Sequence, residues 1–208
     1  MRPPASRIAM LIFAASCSAA SSEDALRTRT ESLVRESFSG ASSEEWNERL
    51  RQDEVQALCS RYRNHAPPDV AQRILQSQQG SFRYPEDGKL LGDWKEGEKL
   101  ASIGTGGHIG KIQPDRPGTR RGGNCYACHA LAAKEIAAGN LGPSLTGFGK
   151  LRGLSPESIK YTYEKIYNAQ AFYPCSMMPR FGHNGWLTPK EIADAVAFLL
   201  DPESPVNR

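Results

Sequence analysis

The sequence predicts an all-α fold with long loops. Three observations lead there. Several segments repeat apolar residues at helical spacing between recognisable caps, and no stretch shows the two-residue alternation of a half-buried strand. The 19 glycines and 14 prolines among 208 residues exceed the ~12% share usual in globular chains, so loops take a large part of the fold. With 39% apolar and 24% charged residues, the chain can build one core of about 100–150 residues plus an addition. A formal charge of +3 gives no reason to expect a nucleic-acid partner, because that needs a clustered basic face.

The chain opens with Arg2 and Arg7 around a short basic region, then an apolar run from Ile8 to Ala15, then small residues from Ser16 to Ala20. This is the pattern of an export signal, too short to be a membrane span. Small residues at Ser18 and Ala20 place cleavage after Ala20, so residues 1–20 are expected to be removed. Lipidation at Cys17 is the alternative, although Ala14 stands where a large aliphatic residue is expected. No later stretch is apolar enough to cross a bilayer, so a periplasmic protein without a transmembrane segment is expected.

Residues 21–87 read as a charged helical extension. Ser42 and Ser43 before Glu44, Glu45 and Trp46 suggest a helix start, with Trp46, Leu50, Val55, Leu58, Cys59 and Tyr62 near helical spacing. Pro67-Pro68 interrupts, and Asp69–Gln79 reads as a second short helix ending at Gly80. Residues 88–208 then form the main domain. Asp93–Ser102 is a helix with Trp94, Gly97 and Leu100 on one face. Ser102–Gly123 holds seven glycines and two prolines among 22 residues and reads as a loop. Cys125–Ala138 is expected to be helical, and Gly139–Gly153 turn-rich. Ser155 and Pro156 start a helix carrying Ile159, Tyr163, Ile166 and Tyr167 on one side. The last helix is the best specified. Thr188 caps it, Pro189 and Glu191 occupy its first turn, Leu187 and Ile192 form a hydrophobic staple, and Pro202 ends it.

Cys125-Tyr126-Ala127-Cys128-His129 is the attachment pattern of a c-type haem. On one helical turn, two thiols three residues apart can each add to a vinyl group, and the next residue's imidazole then reaches the iron. A redox dithiol would need a βαβ unit, and a structural zinc would need a second ligand pair nearby. The sequence offers neither. Met177-Met178-Pro179 supplies the other axial ligand. Pro179 stiffens the chain just after Met178, which selects Met178, while Met177 reads as ordinary packing and His183 as a rival on an exposed turn. His65 and His108 sit in polar or glycine-rich surroundings and read as surface residues. A proximal imidazole usually donates its second ring N–H to a carbonyl, and the Pro143 carbonyl in the stiff Leu141–Leu145 loop is the candidate.

These motifs, with a terminal helix ending Ala197-Phe198-Leu199 and a first helix Gly92–Leu100, resemble class I cytochrome c across roughly residues 88–201. In that fold Gly97 would let the two helices cross closely. More narrowly, Gly122-Gly123-Asn124-Cys125, Leu141–Gly147 and Met177–Gly182 resemble SoxX, the monohaem subunit of the SoxXA cytochrome of sulfur oxidation. The resemblance implies one covalent haem c and a heterodimer with a SoxA-type subunit. That complex, an L-cysteine S-thiosulfotransferase, conjugates thiosulfate to a cysteine of the SoxYZ carrier. The partner performs the sulfur chemistry, and this chain passes the electrons to an acceptor cytochrome. A free respiratory electron carrier is the alternative. The long extension and the Ser102–Gly123 loop exceed what a small cytochrome needs. With Cys17 in the signal and two cysteines on haem, Cys59 and Cys175 remain, and a disulfide between them would pin the Met178 loop to the extension.

Overall fold

The computed structural model describes residues 8–37, 44, 51–104, 116 and 118–208, with side chains of the first helix described from Ser22. The start expected at Ser42–Trp46 and the position of His108 lie outside the described residues. The described residues contain no strand. The chain divides into two compact units, residues 1–51 and 52–208. In the first, helix α1 spans Ile8–Ser37 and carries exposed Leu26 and Leu33, with Arg27 paired to Glu31 at 3.2 Å. Among the described residues, no helix is long and apolar enough to cross a membrane.

The second unit begins with α2 (Glu54–Arg61). Asp53 caps it by accepting the Gln56 N–H at 2.8 Å, and the Gln56 side chain accepts the Asp53 N–H at 2.9 Å. This reciprocal capping box lies in the sequence as Asp-x-x-Gln, ten residues after Ser43 of the start anticipated there. Helix α3 (Pro68–Gln78) follows, and Val55, Cys59, Val70, Ile74 and Cys175 bury together between them and the later chain. Residues 52–87, read from the sequence as the rest of the extension, therefore share one compact unit with 88–208.

Helix α4 (Trp94–Ser102) is capped by Asp93, whose carboxylate accepts the Lys95 N–H at 2.8 Å. Its buried face is Gly97, Leu100 and Ala101. It crosses the last helix, α7 (Pro189–Leu200), at Gly97, where an added Cβ would lie 2.1 Å from the Asp194 carbonyl oxygen. The contact continues upstream: Gly92 N–H reaches the Ala193 carbonyl at 3.0 Å, and Asp93 N–H reaches the Asp194 carboxylate at 2.9 Å. Helix α7 keeps the capping box of Thr188 and Glu191 and buries Ile192 through Leu200 almost continuously. Helix α6 (Pro156–Tyr167) lays Tyr163, Ile166 and Tyr167 against the same core. Tyr163 is buried, and its hydroxyl donates to the Arg83 carbonyl at 2.7 Å, so the phenol carries its polar tip into the core with a partner.

The structure departs from the sequence expectations twice in this unit. Residues 125–138 do not form a helix: only Cys125–Ala127 makes a 3-10 turn. The reason is competition for carbonyls. Gly139, Gly142 and Leu145 N–H groups bond back to the carbonyls of Tyr126, Cys128 and Ala130 at 2.8 Å each, where a continuing helix would need those acceptors. The segment Gly139–Gly153, expected to be turn-rich, also contains a short helix that was not anticipated, α5 (Phe148–Arg152). Gly149 and Lys150 N–H groups at its start bond to the Asn207 side chain at 2.8 and 3.3 Å. That support comes from 57 or 58 residues away, and no local pattern announces it.

Candidate haem site

The Cys-x-x-Cys-His turn is fastened to the end of α4. Gly123 N–H bonds to the Leu100 carbonyl at 2.9 Å and Asn124 N–H to the Ile103 carbonyl at 3.1 Å. Asn124 then takes a left-handed conformation, φ 45°, that turns the chain into Cys125. The His129 N–H returns to the Cys125 carbonyl at 2.9 Å, which folds the five residues into one compact loop. Neither cysteine is in a disulfide, so both sulfurs are available for attachment.

His129 Nδ1 lies 2.7 Å from the Pro143 carbonyl oxygen. A carbonyl only accepts, so this contact places the proton on Nδ1 and leaves Nε2 with a free lone pair. Gly142 passes directly under the ring: a Cβ there would lie 2.2 Å from His129 Cε1. The proximal loop thus holds the imidazole by a hydrogen bond on one edge and a bare backbone on another.

His129 and Cys125 open into an apolar cleft that Met178 also lines. Leu100, Leu131, Ile166, Phe181 and Phe198 supply apolar walls from helices α4, α6, α7 and the loops. A flat, largely apolar macrocycle with one metal suits such walls: Cys125 lines the cleft for attachment, and His129 and Met178 offer it an oriented imidazole and a thioether, while Cys128 lies outside the lining. Met177 is 67% exposed and does not line the cleft. His183 is exposed and outside the lining. His65 is exposed too, with its Nδ1 2.8 Å from the Arg63 carbonyl.

The methionine loop is tied to α2 and α3. Cys59 and Cys175 form a disulfide across 116 residues of sequence. Sequence reasoning missed a second tie: buried Arg180 pairs with Asp53, and its guanidinium also donates to Gln78 Oε1 at 3.3 Å. The same Gln78 oxygen accepts from buried Asn168 at 2.9 Å. The capping-box pattern around Asp53 was a visible signal for a fixed carboxylate, but nothing local pointed it at Arg180. Burial pushes the Asp53 carboxyl up, but the Gln56 N–H and the Arg180 guanidinium outweigh it and hold the group below its ordinary 3.8. A lowered folded value means that the pair's stabilisation is present above the unfolded value and lost as pH falls through the folded one. Asp53→Asn is therefore expected to flatten the acid limb of the stability profile below about pH 4, measured by urea unfolding.

The cytochrome c family profile matches residues 121–201. An uncharacterized lipoprotein of Aquifex aeolicus (strain VF5) is 47% identical over 159 residues, covering 76% of this chain and 73% of that protein. The chain carries a cytochrome c domain and belongs to one family with that protein. The matched region begins just before Cys125 and ends just after α7, so it takes in the attachment turn, the proximal loop and the methionine loop. A cytochrome c domain implies a covalently bound haem c and electron transfer at a single haem. The helical, strand-free fold of the described residues agrees with class I cytochrome c.

Proposed function

We propose that the protein is an exported monohaem electron-transfer cytochrome of a SoxXA-type thiosulfate-oxidising complex, with His129 and Met178 as the axial ligands. The observation that carries the ligand assignment is that an imidazole with a free Nε2 and one methionine line the same apolar cleft. Bound haem supplies a one-electron redox centre. Cys125 and Cys128 would hold it by thioether bonds. Pro143 keeps the His129 imidazole oriented and basic, which strengthens it as a donor. The Met178 thioether favours the ferrous state, and the walls of Leu100, Phe181 and Phe198 keep water from the site; both raise the reduction potential. With haem held by both His129 and Met178, the site would pass electrons rather than bind a substrate.

The place in a sulfur-oxidising complex rests on the Met177–Gly182 and Gly122–Cys125 runs that resemble SoxX. In that reading the SoxA-type partner joins thiosulfate to the SoxYZ carrier, and an acceptor cytochrome receives the electrons. Export rests on the N-terminal signal. The relative's designation as a lipoprotein favours attachment of lipid at Cys17 over cleavage after Ala20. Native purification with haem staining and intact-mass measurement tests these points together. A second haem protein of SoxA type is expected to copurify, and the mature chain is expected to begin at a lipid-modified Cys17. A solitary chain that reduces a terminal oxidase unaided would favour the free carrier, and a chain beginning at Ser21 would reject the lipid anchor.

A further inference from the structure

We infer that Arg180 is a positioning residue for Met178, and that the arm of α2 and α3 uses it to hold the thioether in the cleft. The inference rests on Met178 being the second axial ligand. Three features of the loop point to it. Only Pro179 separates the two residues, and its ring removes one backbone freedom between them, so a displacement of Arg180 passes to Met178. Met178 has a thin backbone hold: its N–H reaches the Ser176 hydroxyl at 3.3 Å, while its part-buried side chain packs against the core. The segment is instead anchored on either side, by the Cys59–Cys175 disulfide before Met178 and by the Arg180 pair after it.

The Arg180 anchor is a demanding one. Its side chain is 3% exposed, and a buried guanidinium needs acceptors for a positive charge that cannot be removed. Asp53 supplies the charge and Gln78 a second acceptor. Both belong to the arm: one caps the start of α2 and the other sits in the last turn of α3. Without Asp53 the guanidinium must turn toward water, and the loop beyond it is fixed. Gly182 and His183 N–H groups bond to the Tyr167 carbonyl at 3.1 and 3.2 Å. The slack must then appear upstream, at Pro179 and Met178.

The test is the rate at which excess imidazole displaces the methionine in the haem-loaded, full-length ferric protein. It is followed by loss of the weak far-red band that a thioether gives on ferric haem. Asp53→Asn keeps the helix cap, because Asn caps as well as Asp, but removes the charge. Gln56→Ala breaks the capping box and leaves the carboxylate. Asp53→Asn and Asp53→Ala are expected to speed displacement about tenfold, equivalent to about 1.4 kcal/mol. Arg180→Lys should fall between these and the wild type, and Gln56→Ala should stay within about twofold of wild type. Wild-type rates in both Asp53 variants, with the band abolished by Met178→Ala, would overturn this inference alone. Equal acceleration by Gln56→Ala would overturn it too, by assigning the effect to helix α2 itself. A far-red band that survives Met178→Ala would overturn the ligand assignment and this inference with it.

Discussion

A Gly97→Ala variant is expected to lose about 2–3 kcal/mol of stability, although alanine is the better helix former by about 1 kcal/mol. The methyl group would stand 2.1 Å from the Asp194 carbonyl oxygen, 2.7 Å from its carbonyl carbon and 2.8 Å from Phe198 Cβ. Two of these atoms are backbone of α7, so no side chain can swing aside, and the helices must separate. Separation would also pull Leu100 and Phe198 away from the cleft that both line. Gly80→Ala is the natural control, because nothing lies within 4 Å of a Cβ there. Urea unfolding of the two haem-loaded variants should show a lowered midpoint for the first and no loss for the second. Equal midpoints would mean that the crossing is not close in solution.

Removing the Cys59–Cys175 disulfide is the larger perturbation. Its cysteines are 116 residues apart, and closing a loop of that size constrains the unfolded chain by roughly 4–5 kcal/mol on chain-entropy grounds. A domain's whole stability is usually about 5–15 kcal/mol, so the paired Cys59→Ser, Cys175→Ser variant should be close to marginal before haem is counted. The substitution also removes the covalent tie between the arm and the methionine loop, leaving the contacts of Arg180 with Asp53 and Gln78. The expected result is a strongly lowered urea midpoint, together with no alkylation of Cys59 or Cys175 in unreduced wild-type protein. Alkylation of both in the unreduced, unfolded chain would contradict the bridge.

What the sequence made legible was local. The capping residues of α6 and α7 and the five-residue attachment motif each sit within a few positions of what they control, whereas Gly97 meets α7 at Asp194 and was expected from the resemblance to class I cytochrome c. Pro143 lies 14 residues from the imidazole it meets, within reach of a chemical argument about what a proximal histidine needs. Three features escaped for the opposite reason. The loss of helix after Ala127 depends on amides at 139, 142 and 145 competing for carbonyls. Helix α5 depends on Asn207. The Arg180–Asp53 pair joins positions 127 residues apart, and a basic residue after Met-Pro looks like any exposed charge until its burial is seen. Helices α2 and α3, with too few apolar residues to fold alone, are held by a disulfide and by the pairing of buried Arg180 with Asp53, neither of which composition reveals.

The proposed ligand pair is His129 and Met178, two side chains that line one apolar cleft and would complete the coordination of a single covalent haem. Carbon monoxide binding to the reduced protein tests it most directly, because the gas needs a free axial position on ferrous iron. The wild-type spectrum is expected to be unchanged by carbon monoxide, the Met178→Ala variant to bind it stoichiometrically, and the Met177→Ala variant to behave as wild type. Ready binding by the wild-type protein would contradict it, as would haem that acid extraction removes from the chain.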